Sequence, residues 1–114
     1  MVNTRSKMQR TNSKVRLWLI ANGYNDIYFF PHSRFSKDYH ISHPPSKLKA
    51  DFDGIATKEN TVTFFQCKSN CRISKKTLME YAAIESIFGI ECLWFNAVDR
   101  KPLEVNNGMP ISSE

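Results

Sequence analysis

No stretch of this chain approaches the roughly 20 consecutive apolar residues that a membrane-spanning helix needs. The basic start, MVNTRSKMQRTNSK, is not followed by the apolar core of a signal peptide, since Val15–Ala21 is short and carries Arg16. The four glycines, Gly23, Gly54, Gly89 and Gly108, stand alone, so there is no glycine-rich phosphate loop. Cysteine is also scarce. Cys67, Cys71 and Cys92 cannot all pair within one chain, and reduced thiols in a cytoplasmic protein are the simpler reading. No repeat and no second domain is visible.

What remains is a 114-residue chain, 41% apolar, enough to bury one core. Its net charge is +5 and its pI near 9.2, which favours an anionic partner, nucleic acid foremost. The cations are unevenly spread. Arg5, Lys7, Arg10, Lys14 and Arg16 crowd the N-terminus, and Arg34, Lys37, His40, His43, Lys47 and Lys49 fill residues 31–49.

The expected organisation is a mobile basic arm over 1–10, one domain over 11–105 and a tail over 106–114. A helix capped by Thr11, Asn12 or Ser13 carries an apolar stripe at Val15, Trp18 and Leu19, and Gly23 ends it. DIYFF is a short strand. Residues 31–49, with Pro31, Pro44 and Pro45, read as a long irregular loop. DFDGIAT and TVTFFQCK form a hairpin. A second helix begins near Lys75 and stops at Gly89, and IECLWFN is a further strand. RKPLEV fits only a sheet edge because of Pro102. The order α-β-β-β-α-β implies an α/β domain with a mixed central sheet flanked by helices.

Side chains alternate across a strand, so Val62, Phe64, Gln66 and Lys68 share one face, and Thr63, Phe65 and Cys67 the other. If Thr57 pairs with Val62, Ile55 opposes Phe64 and Asp53 opposes Gln66, with Cβ atoms within about 5.5 Å. That register gathers Asp53, Gln66 and Lys68. A carboxylate and an amide oxygen are hard ligands that suit Mg²⁺, and the backbone carbonyl of Cys67 is a third donor nearby. Lys68 can position or activate a water and stabilise charge on a phosphate. The bland alternative is a solvated cross-strand ion pair between Asp53 and Lys68. A zinc site from His40, His43, Cys67 and Cys71 has only loosely fitting spacings, in reversed order, and puts Cys67 on the wrong face.

At these residues the sequence resembles the PD-(D/E)XK nuclease superfamily, whose motif is an Asp on one strand and Glu-X-Lys or Gln-X-Lys on the next. Within it, the chain is most similar to the archaeal-type Holliday-junction resolvases, also found in viruses and phages. The matching features, over roughly residues 5–98, run in order: NGY at the end of the first helix, Ser33 in FPHSRF, Asp53-Gly-Ile-Ala56, the thirteen-residue step to Gln66-Cys67-Lys68, and Phe88-Gly89 closing the second helix. The resemblance implies a restriction-endonuclease-like fold and a Mg²⁺-dependent endonuclease, with Mn²⁺ able to substitute. Asp53, Gln66 and the Cys67 carbonyl would hold metal, with Lys68 catalytic and Ser33 at the scissile phosphate. It further implies a homodimer on four-way DNA junctions in the cytoplasm, or in the host cytoplasm or nucleoid for a viral protein. Arg5, Lys7, Arg10, Arg34 and Lys37 are the candidate DNA contacts, and Trp94, Phe95 and Leu103 the apolar residues available to a dimer interface.

Two departures weaken the expected metal affinity. The family's usual first-helix Glu falls near Ser13, with no acid before Asp26, and the Glu-X-Lys carboxylate is the amide of Gln66. Asp51 is the alternative motif acid, but only Asp53 fits the Asp-apolar-Ala pattern and the spacing. The competing functions are nuclease action on duplex, nicked or flap DNA, and a catalytically silent DNA-binding module.

Overall fold

The computed structural model describes residues 4–31, 40–43, 48–98 and 100–108. Helix α1 spans Thr4–Ala21 and buries Val15 and Leu19, with Trp18 beside them. Its end is closed by two hydrogen bonds, Tyr24 N–H to Leu19 O at 2.9 Å and Gly23 N–H to Ile20 O at 3.2 Å, with Gly23 at φ 85°. This left-handed turn suits glycine at low cost. Residues 4–10, expected in a mobile arm, are the first turns of this helix. Arg5, Lys7, Met8, Gln9 and Arg10 are good helix formers, and Thr11 is buried within the helix rather than capping it.

A five-stranded sheet runs in the order β1 (Asn25–Phe29), β4 (Gly54–Lys58), β5 (Thr61–Ser69), β6 (Glu91–Ala97), β7 (Glu104–Asn107). β5 is central. It is antiparallel to β4, with Thr57 opposite Val62 and Ile55 opposite Phe64, which is the register expected from the sequence. The ladder extends one pair further, Lys58 to Thr61, leaving a turn of Glu59 and Asn60. β5 is parallel to β6 through α2 (Lys75–Phe88). Ser74 caps α2 by accepting the Thr77 N–H at 3.1 Å, and Gly89, at φ 67°, ends it. The fold is thus the mixed α/β sheet expected, with additions.

Those additions correct the reading of three segments. Residues 31–49 are not wholly irregular, because β2 (His40–His43) pairs with β3 (Leu48–Asp51) as a separate two-stranded sheet packed against α2. DFDGIAT is not one strand. It breaks at Phe52, whose ring turns onto the α2 side, stacked on Tyr81 at 5.4 Å and tilted against Phe64. Residues 106 and 107, expected in the tail, belong to β7, which pairs with β6 at the sheet edge.

The sheet divides the core in two. On the α1 side, Val15, Leu19, Tyr24, Ala56, Phe65, Leu93 and Phe95 pack together. On the α2 side lie Ala50, Phe52, Tyr81, Ile84, Cys92 and Trp94. Trp94 and Phe95 are therefore core residues, and Leu103 packs against the α1-side cluster, so these do not form a free apolar surface. The exposed large apolar side chains are Leu17 and Ile20 on α1, Tyr28 on β1, and Met79, Ile87 and Phe88 on α2. Among the described residues, no helix is long and apolar enough to cross a membrane.

Candidate active site

Asp53 sits between β3 and β4, outside the ladder, and its backbone is held on both sides. Its N–H donates to Phe65 O at 2.7 Å, and its carbonyl accepts the Phe30 N–H at 2.8 Å. Its carboxylate Oδ2 accepts the Cys67 N–H at 2.8 Å. Gly54 makes this close approach possible. A Cβ there would meet the Phe65 ring and lie 2.6 Å from Tyr28 O. A strand residue directs its N–H and C=O to the same edge, so the Cys67 carbonyl lies on the edge of β5 that carries Asp53.

The alternation of β5 does what the sequence suggested. Phe65 and Cys67 pack into the α1-side core, while Phe64 joins the α2 side, where Gln66 and Lys68 also face. Gln66 and Lys68 open onto a cavity of about 240 Å³ between β5 and α2, lined also by Ala50, Asp51, Thr77, Glu80, Tyr81 and Trp94. Two buried polar atoms here, Gln66 Oε1 and the Tyr81 hydroxyl, have no hydrogen-bond partner among the described residues. Leaving a buried acceptor unmet costs about 1–3 kcal/mol, so such an atom calls for an explanation.

The electrostatics of the cavity are anionic. Burial pushes the Tyr81 hydroxyl well above its ordinary range, and the charges of Cys92, Asp53 and Asp51 push it the same way. Burial, then the charge of Asp53, raises the Cys67 thiol, which keeps it protonated and unsuited to a metal. Cys71 is exposed, and the side chains of His40 and His43 lie outside the described residues. Among the described residues no three His, Cys, Asp or Glu side chains come together as a metal cage.

Gln66 Oε1 is a buried hard oxygen with no donor to satisfy it, and the residues around it suit a hard cation that keeps part of its water shell. Asp53, Gln66 and the Cys67 carbonyl converge, and Lys68 follows on the same face. Asp51 also reaches the cavity, from β3 rather than from the strand of Asp53. Ser33, Arg34 and Lys37 lie outside the described residues. Arg5, Lys7 and Arg10 lie on α1, with Arg10 exposed. Sequence reasoning missed the contribution of α2. Its signal was a stripe at helical spacing, Thr77, Tyr81 and Ile84 with Glu80 beside it, apolar toward its end and polar at its start.

Five strands in this mixed order, one helix on each face and a polar cluster at the end of the central hairpin define a restriction-endonuclease-like α/β fold. The chain shares that fold with Hjc, a Holliday junction resolvase from the archaeal hyperthermophile Archaeoglobus fulgidus. The TM-score is 0.57 at 13% identity, over 87% of this chain and 75% of that one. The resemblance to the PD-(D/E)XK resolvases is therefore met at the level of the fold. No family model matches the chain, and neither does any curated protein.

Proposed function

We propose that this chain is a metal-dependent, structure-selective DNA endonuclease, a Holliday-junction resolvase that acts as a homodimer in the cytoplasm. The observation that carries the reading is the clamp of Asp53 onto Cys67 N–H beside the unpartnered Gln66 Oε1, with Lys68 next on the same face. Asp53, Gln66 Oε1 and the Cys67 carbonyl hold Mg²⁺, or Mn²⁺ in its place. The metal, when bound, supplies positive charge at the phosphate and an acidified water. Lys68 positions that water and donates to the oxygen on which charge develops. The hydrogen bonds that fix Asp53 to β5 and to Phe30 keep its carboxylate in place without reorganisation. Ser33 contacts the scissile phosphate in this reading.

Arg5, Lys7, Arg10, Arg34 and Lys37 contact backbone phosphates, which gives affinity with little sequence readout. A second copy docks through exposed apolar side chains such as Leu17 and Ile20, or Met79, Ile87 and Phe88, since Trp94 and Phe95 are taken by the core.

One observation favours a silent DNA-binding module instead: α1, from Thr4 to Ala21, contains no acid. The test is cleavage of a labelled four-way junction beside matched linear duplex, with Mg²⁺ or EDTA, for the native chain, Asp53→Asn and Lys68→Ala. Paired metal-dependent cuts near the crossover, lost in both variants, are expected. Equal cutting of duplex and junction would move the substrate to ordinary, nicked or flap DNA. Tight binding without cutting, with Mn²⁺ as well, would leave a binding module.

A further inference from the structure

The cavity beside Gln66 has a second wall that the proposed metal ligands do not use. Glu80 faces it from α2, half-buried, and Asp51 faces it from the end of β3. We propose that Glu80 and Asp51, together with Gln66 Oε1, hold a hydrated divalent cation in this cleft. The inference rests on the nuclease reading for its catalytic meaning, where it makes Glu80 a further residue of the metal site.

Two acids alone would not identify a ligand. The Tyr81 side chain is only 1% exposed, yet its hydroxyl on the cavity wall has no partner, and Gln66 Oε1 across from it is in the same state. One is an acceptor only. The other both donates and accepts, as a group facing a metal-bound water must. Charge points the same way. Asp51, Asp53 and Glu80 against Lys68 leave a formal charge of −2 around the cleft, which a divalent cation neutralises. Size agrees too. A cation with six waters needs roughly 180 Å³ at about 30 Å³ per water, and the cavity offers about 240 Å³. No three acidic, His or Cys side chains among the described residues close into a dry cage. The cation therefore keeps most of its water, and Glu80 and Asp51 act on that shell. This is the usual manner of Mg²⁺.

The test is Mn²⁺ binding to the full chain without DNA, read from the loss of the free Mn²⁺ paramagnetic resonance signal. The variants are Glu80→Gln, Asp51→Asn and a control, Glu59→Gln, in the exposed hairpin turn. Circular dichroism and the melting temperature show that each is folded. Glu80→Gln and Asp51→Asn should each weaken Mn²⁺ binding about tenfold, with Glu59→Gln unchanged. Native-like Mn²⁺ binding by both cleft variants would overturn the inference, and so would a native chain that binds no Mn²⁺. Junction cutting that persists while both variants bind normally would sink the inference alone and leave the nuclease standing. Glu80-dependent binding in a chain that cuts no DNA would support the cation site and remove the nuclease reading.

Discussion

The two faces of the central sheet are built from the same strands, yet they differ in kind. Toward α1, β5 presents Phe65 and Cys67 to a closed aromatic cluster, with Phe65 against Phe29 at 5.2 Å and Phe95 at 5.9 Å and Trp18 against Phe95 at 5.2 Å. Toward α2, the same strand presents Phe64 and then Gln66 and Lys68, and the packing gives way to a polar cavity with two unpartnered buried atoms. Adjacent residues of one strand thus serve different ends. The α1 face fixes the strand, and the α2 face uses the rigidity so obtained. Stability should map to one side and chemistry to the other, and each of the following substitutions tests that division.

The largest effect is expected from Phe65→Ala. It removes a fully buried ring and should cost about 3–5 kcal/mol, measured by urea denaturation. A cost below about 1 kcal/mol would mean that the α1 face is not the structural one. Lys68→Ala should do the reverse, lowering junction cleavage by about 10²–10³-fold with the urea midpoint unchanged. A matching loss of stability would make Lys68 a structural residue. Gly54→Ala should affect both sides, because the added Cβ lies 2.6 Å from Tyr28 O and presses on Phe65 while displacing Asp53 next to it. Overpacking of this kind costs about 1–3 kcal/mol, and cleavage should fall with it.

Gln66→Leu sharpens the contrast from the other direction. It removes the unmet acceptor at similar volume, so stability should rise by about 1 kcal/mol while Mn²⁺ binding is lost. A fall in stability would show that the amide is satisfied after all. The smallest effect belongs to Glu85, whose carboxyl is pushed up by burial and by Glu91, against the lowering hydrogen bond from Cys92 N–H. The folded chain holds this proton more tightly than the unfolded chain does. Stability from this group is therefore full below the ordinary glutamate range and declines as pH rises through the raised value. Glu85→Gln should flatten that decline in melting temperature between acid and neutral pH. An unchanged slope would assign it to another group.

Much of this division was legible in the sequence, for a physical reason. Period-two alternation is local, so TVTFFQCK alone put Phe65 and Gln66 on opposite faces, and the Thr57–Val62 register followed from the hairpin. Helix ends at Gly23 and Gly89 were legible because a left-handed residue there favours glycine. Long-range placement was not. Nothing local says that β3 should lie against α2 and bring Asp51 to the cavity, or that Glu80 should face it. Thr11, Asn12 and Ser13 looked like caps because capping residues are also tolerated inside a helix whose other positions favour it. Phe52 looked like a strand residue because aromatics favour strands, but the α2-side core needed its ring more than the strand needed continuity.

The two-residue turn of Glu59 and Asn60 has a consequence for kinship. Asp53 opposes Gln66 because the hairpin folds symmetrically about that turn, so the thirteen-residue gap between them records the length of the hairpin and not the dimensions of the site. Lengthening both strands by one residue each keeps the two side chains opposed and stretches the gap by two. Inserting a single residue without a bulge throws them out of register. Descent from a common hairpin would therefore leave gaps that drift in steps of two around an unchanging geometry. Lineages can diverge past recognition in their spacing while the atoms stay where they were.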